Sequence, residues 1–296
     1  MMKAKNAKER IRRSMLFVPG NNPSMIQTCP IYGADTIILD LEDSVAPSQK
    51  DAARRLVVHA IRELDFSGAE IAVRINAPDT DDGKRDIEAL KHVGVQALLV
   101  PKAETAEYVA AVDRQLGDLP IALIPMLETP AGVLRGSEIA ASSDKVVAIA
   151  FGAEDYATSM GIQRTKEGRE VFTARCLVTM AARACGVAAI DTVFVDVNDE
   201  EGLAADTREA IAVGFEGKLS INPRQVEVIN REFTPTAAQI DRARRVVEAY
   251  EDGIRRGLGA IALDGKMIDM PVVQRAQTVL KMAKAAGCEG AGGERE

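Results

Sequence analysis

Eight short apolar runs, each followed by a longer amphipathic stretch, constrain this chain more than any other feature. They occupy residues 15–19, 36–40, 71–75, 97–101, 121–127, 146–151, 192–196 and 218–221. Most are continuously apolar, the pattern of strands buried on both faces of a parallel sheet. Helical segments between them include residues 49–64, 104–115, 129–141, 166–185 and 200–213. Eight strand–helix repeats predict an α/β protein with a closed (β/α)8 TIM barrel over residues 14–233. No GxGxxG follows the first run, which argues against an open dinucleotide-binding sheet. After the eighth run the pattern changes to a long helix from 234–237 to about 256, an interruption at 258–271, and a last helix from 272 to about 286. Residues 234–296 are expected to be a C-terminal helical arm ending in a disordered Gly-rich tail. Such an arm is expected to be too short for its own core, and to pack on the barrel or a neighbouring subunit.

Charge and composition then remove whole classes of function. The 296 residues carry 37 Lys+Arg against 44 Asp+Glu, a net charge of −7, so a nucleic-acid partner is disfavoured. No run approaches the roughly 18 apolar residues of a membrane span, and residues 1–13 lack an apolar signal core. Cys29, Cys176, Cys185 and Cys288 show no CxxC spacing, and His59 and His92 are the only histidines. That excludes a disulfide framework and a Cys/His zinc site, and it disfavours a histidine-based hydrolase. A reducing, cytoplasmic setting is expected.

Barrel chemistry lies at the carboxyl ends of the strands, so the residues closing each run are the candidates. Glu128 and Asp155 follow the fifth and sixth runs. Two carboxylates without Cys or His suit Mg²⁺, which takes one or two carboxylates plus waters and substrate oxygens. Helix capping is the competing explanation for both. Asp40, Glu42 and Asp43 are either a charged loop or a catalytic cluster. Arg74 and Lys102 end apolar strands, and with Asn76 they are candidates to bind a substrate carboxylate; structural ion pairing competes for both cations. Lys102 also raises a Schiff-base aldolase, although surrounding carboxylates would hold it protonated and unreactive. Asp269, within MIDMP, is either a buried proton carrier or the cap of the last helix, and local sequence favours the cap.

Nine ordered motifs cover nearly the whole chain: RRSMLFVPGNN (12–22), DLEDSVAPSQKDAARR (40–55), VRIN (73–76), VPK (100–102), ETPAG (128–132), FGAEDY (151–156), DTVFVDVND (191–199), GKLSINPRQ (217–225) and LDGKMIDMP (263–271). Together they closely resemble the citrate lyase β-subunit family within the HpcH/HpaI aldolase superfamily of citryl-, malyl- and citramalyl-thioester lyases. The resemblance implies Mg²⁺ and carbon–carbon cleavage of a 3-hydroxy-3-carboxy acyl thioester, such as citryl thioester to acetyl thioester and oxaloacetate. It makes Glu128 and Asp155 metal ligands, and Arg74 the carboxylate-binding residue. Asp269, delivered from a neighbouring subunit, becomes first choice for proton transfer, with Asp43 second. Implied partners are a CoA or acyl-carrier-protein thioester, citrate lyase α and γ subunits, and further copies in a homotrimer or hexamer. The rivals are a stand-alone malyl- or citramalyl-CoA lyase or thioesterase, and an inactive barrel serving as a scaffold.

Overall fold

The computed structural model describes residues 7–258 and 261–288. The Gly-rich tail from residue 289 onward lies outside the described residues. Eight parallel strands close into one barrel in chain order: β1 (Ser14–Pro19), β2 (Thr36–Asp40), β3 (Glu70–Arg74), β4 (Ala97–Val100), β5 (Ala122–Leu127), β6 (Ala148–Phe151), β7 (Ala188–Asp191) and β8 (Gly217–Ser220). Closure places Ser14 opposite Lys218 and Leu16 opposite Ser220. The (β/α)8 expectation holds, with one strand misplaced.

That strand is the seventh, expected at 192–196 and found four residues earlier. Gly186, at φ +65°, ends the helix Arg169–Cys185, so the next strand starts almost at once. Ile190 pairs with Ala150 on one side and Gly217 on the other. By Val195 the chain has left the barrel, and that side chain is 60% exposed. The alanines of β7 lack the bulk of a typical strand, yet a narrow barrel interior takes small side chains.

Successive strand residues face opposite sides, and the two apolar clusters sort by that alternation. One cluster takes residues from all eight strands, including Met15, Ile38, Ala72, Leu99, Met126, Ala150, Ile190 and Leu219, and fills the barrel. The other includes Leu16, Ile37, Val73, Leu98 and Ile149, which pack outward against helices such as Lys50–Glu63, Asp81–Leu90 and Arg169–Cys185. The expected helix at 129–141 is two short ones, Pro130–Leu134 and Gly136–Ala140. A Cβ on Gly136 would stand 3.0 Å from that of Ala181, so the break lets backbone approach the helix behind it. On the outward register, Lys218 is fully buried, with Nζ 2.6 Å from Asp191 and 2.5 Å from Asp206; Arg175 also pairs with Asp191.

The contact pattern separates Met1–Phe233 from Thr234–Glu296. Within the second unit, a capping box of Thr236 and Gln239 starts the helix Ala237–Arg255. A two-stranded hairpin, Ile261–Leu263 with Lys266–Ile268, leads to the helix Met270–Ala285. The expectation that this arm lacks a core is corrected. Ala243, Val246, Ile268, Val273 and Ala276 form an apolar cluster of their own, because the unforeseen hairpin adds a third surface to the two helices. No helix among the described residues is long and apolar enough to cross a membrane.

Candidate active site

Extending the inward register one step past the barrel core defines the site. Two residues beyond Met15, Ile38, Ala72, Met126, Ala150, Ile190 and Leu219 stand Phe17, Asp40, Arg74, Glu128, Gly152, Thr192 and Ile221. All seven line a cavity of about 460 Å³ at the carboxyl end of the strands, joined there by Asp43 and Asp155. Period-two alternation, carried from seven strands, thus gathers the charged groups around one opening.

Arg74 is held in a fixed pose. Its Nε and Nη2 each donate to Asp40 at 2.7 Å, while Nη1 lies 3.1 Å from Glu42 Oε2 and 3.6 Å from Asp43 Oδ2. The Phe17 ring lies 4.8 Å beneath the guanidinium. Burial pushes the Asp40 carboxyl up, but Arg74, the Ser44 side chain and the Glu42 amide outweigh it and hold the group below the usual carboxylate range. The amides of Glu42 and Ser44, donating to Asp40 at 3.0 and 3.1 Å, fold residues 40–44 into a tight turn. Lys50 secures the turn by donating to the carbonyls of Leu41 and Glu42 at 2.8 and 2.7 Å. Arg74 therefore makes the ion pair weighed against carboxylate binding, yet it makes it on the cavity wall. Its Nη1 edge faces the buried Glu42 and, farther out, Asp43, whose side chain is largely exposed.

Glu128 is 2% exposed, and its Oε1 accepts the Lys102 amide at 2.6 Å. Lys102 adopts φ +52°, a conformation rare for a residue with a Cβ, at the residue whose N–H meets Glu128. Burial pushes Glu128 up to about 8; the Lys102 amide opposes this, and the charges of Glu42 and Asp155 add to it. A buried carboxylate beside two others fits a hard cation, which would remove that repulsion. Capping does not explain Glu128, because Thr129 caps the following helix by accepting from Gly132. Asp155 lies in the first turn of the helix Ala153–Met160, which has no side-chain cap of its own. Among the described residues no group of three His, Cys, Asp or Glu forms a metal site alone. A two-carboxylate Mg²⁺ site completed by water and substrate oxygens needs no third protein ligand.

Gly152 is the glycine on which this arrangement depends. A Cβ there would lie 2.6 Å from Glu128 Cβ and 2.7 Å from its Oε2. Gly152→Ala is expected to displace Glu128 and weaken Mg²⁺ binding by about tenfold or more, as read by calorimetric titration.

The remaining candidates separate. Lys102 Nζ lies 3.2 Å from Glu42. Burial pulls its pKa down, but Glu42, Asp43 and Asp155 outweigh this and hold the ammonium above its ordinary value. That is the wrong direction for a Schiff-base nucleophile. Asn76, a candidate for substrate contact, has its side-chain amide taken up by the protein itself. It is buried off the cavity wall, its side-chain amide donating to Leu41 O at 2.9 Å and to Asp86 at 2.7 Å. Asp269 caps the helix Met270–Ala285 by accepting from Val272 at 3.1 Å. Sequence reasoning did not single out Gly152 or Thr192, and it left Asp40 and Glu42 without a defined role toward Arg74.

Fold and site together define a (β/α)8-barrel enzyme, with acids and one arginine converging at the carboxyl mouth. The HpcH/HpaI aldolase/citrate lyase family matches residues 13–223, and the chain belongs to it. The citrate lyase subunit beta of Leuconostoc mesenteroides subsp. cremoris is 43% identical over 94% of this chain and 95% of its own. The mitochondrial citramalyl-CoA lyase of Rattus norvegicus is 33% identical over 92% of this chain and 86% of its own. The crystal structure of CitE from Mycobacterium tuberculosis in complex with magnesium, acetoacetate and coenzyme A superposes with a TM-score of 0.78. It is 36% identical, covering 94% of this chain and 99% of that one.

Proposed function

We propose that this chain is a Mg²⁺-dependent lyase that cleaves a citryl thioester to an acetyl thioester and oxaloacetate, as the β subunit of a citrate lyase. The observation that carries the reading is the convergence of Arg74, Glu128 and Asp155 on one barrel-mouth cavity. Identity to a citrate lyase β subunit, ten points above that to a citramalyl-CoA lyase, supports the choice of acyl group. Groups suited to the chemistry at every one of these positions argue against an inactive scaffold.

Glu128 and Asp155 are the residues that would hold the ion. When bound, Mg²⁺ supplies Lewis-acid polarisation of the substrate hydroxyl and its neighbouring carboxylate. Arg74 binds a substrate carboxylate through its Nη1 edge while Asp40 keeps the guanidinium from turning. Cleavage removes the hydroxyl proton, turns the carbinol carbon into a ketone, and leaves an electron pair on the α carbon of the acetyl thioester. A carboxylate takes the hydroxyl proton and a proton returns to the α carbon. Asp269 of a neighbouring copy is first choice for this transfer and Asp43 second, an effect of roughly 10²–10⁴-fold.

The thioester arrives on CoA or on an acyl carrier protein, which present the same phosphopantetheine arm. Within a citrate lyase the chain works beside α and γ subunits, as a homotrimer or hexamer that brings Asp269 to a neighbour's mouth. All four cysteines are free thiols, in keeping with a reducing cytoplasm. The test is a spectrophotometric product assay on citryl-, malyl- and citramalyl-CoA. Oxaloacetate from citryl-CoA, lost in EDTA and restored by Mg²⁺, is expected. Glyoxylate from malyl-CoA or pyruvate from citramalyl-CoA, without oxaloacetate from citryl-CoA, would overturn the assignment.

A further inference from the structure

We propose that Thr192 is a positioning residue for Asp155, supplying from just past the end of β7 the helix cap that the Asp155-bearing helix cannot make for itself. The inference rests on Asp155 holding Mg²⁺. A helix start leaves its first amides unpaired, and Ser, Thr, Asp or Asn at the N-cap normally answers one of them. Here the N-cap is Gly152, which has no side chain to offer. Nor can one be introduced, because a Cβ at that position meets Glu128 at 2.6–2.7 Å. The room that Glu128 occupies therefore removes the local cap from the neighbouring ligand's helix.

Thr192 answers the need from the first residue after the adjacent strand. Its Oγ1 accepts the Ala153 N–H at 3.0 Å, and both residues are buried, Thr192 at 3% exposed and Ala153 at 0%. Barrel register explains why the hydroxyl falls there. Ile190 pairs with Ala150, so Thr192, two residues on, stands level with Gly152 and faces the first N–H of the helix. Its β-branched side chain has few rotamers, which fixes the acceptor. Asp155 lies two residues beyond Ala153 in the same turn, so holding that amide holds the turn from which Asp155 projects.

Thr192 also lines the cavity, so the test reads metal binding without substrate. Mn²⁺ binding, followed by electron paramagnetic resonance, is compared for the wild type, Thr192→Val, Thr192→Ala and Thr192→Ser. Val and Ala are expected to weaken Mn²⁺ binding about tenfold, equivalent to about 1.4 kcal/mol. Ser, which keeps the hydroxyl, is expected to bind as the wild type does. The Mg²⁺ concentration for half-maximal lyase activity should shift by the same factor. Wild-type Mn²⁺ affinity in whichever of Val and Ala folds, or an equal loss in Ser, overturns the proposal. Glu128→Gln run alongside separates the two levels. If it too binds Mn²⁺ normally, the metal-site reading itself fails; if only it loses Mn²⁺, the cap alone fails.

Discussion

Replacing Glu128 by Gln is expected to lower Mg²⁺-dependent turnover on the order of 10³-fold, the equivalent of about 4 kcal/mol of barrier. The melting temperature in EDTA should stay the same or rise. The two outcomes share one cause. Burial, with Glu42 and Asp155 nearby, disfavours the Glu128 carboxylate in the metal-free protein. A neutral amide of the same shape removes that repulsion and still accepts the Lys102 amide. The charge that makes Glu128 a poor structural residue is what suits it to a cation, a trade of stability for function. Steady-state kinetics across a Mg²⁺ titration, beside thermal melts in EDTA, check both halves. Turnover near wild type in Glu128→Gln would remove this residue from the metal site.

Arg74→Ala is expected to do the reverse, losing activity and stability together. Arg74 is the chief partner of Asp40, whose side chain is 2% exposed, and it also offsets the buried Glu42. Removing one partner of a buried pair leaves an uncompensated charge, which destabilises by about 3 kcal/mol. Arg74→Lys restores the charge but not the two parallel hydrogen bonds to Asp40, so it should recover part of the stability and little of the substrate affinity. Urea denaturation gives the first quantity and KM the second. A wild-type KM in Arg74→Lys would show that the guanidinium does not bind substrate.

How much of this was legible in the sequence follows from the barrel's two periods. The alternation of apolar runs and helices gives the (β/α)8 fold directly, because a parallel strand buried on both faces has an unbroken apolar signature. Glu128 and Arg74 follow from it by counting in twos from Met126 and Ala72. Thr192 escaped because the largely apolar stretch VAAIDTVFV runs on past its strand, and its bulkiest part, TVFV, lies beyond the barrel. With the strand drawn four residues late, Thr192 reads as a strand start instead of a mouth residue. Asn76 shows a related effect. It continues the inward count from Arg74, but the chain has already turned off the strand, and the amide is taken up by Asp86. Asp86 lies ten residues away, beyond what local spacing shows. The hairpin in the C-terminal arm escaped because three-residue strands carry too little alternation to register.

The most direct test of the account is a crystal structure of the protein grown with Mn²⁺ and oxaloacetate, with anomalous differences collected at the manganese edge. A single strong peak bound by both Glu128 and Asp155, with an oxaloacetate carboxylate on Arg74 Nη1, is the predicted result. Manganese bound elsewhere in crystals of active enzyme, with Glu128 and Asp155 free of metal, would contradict it.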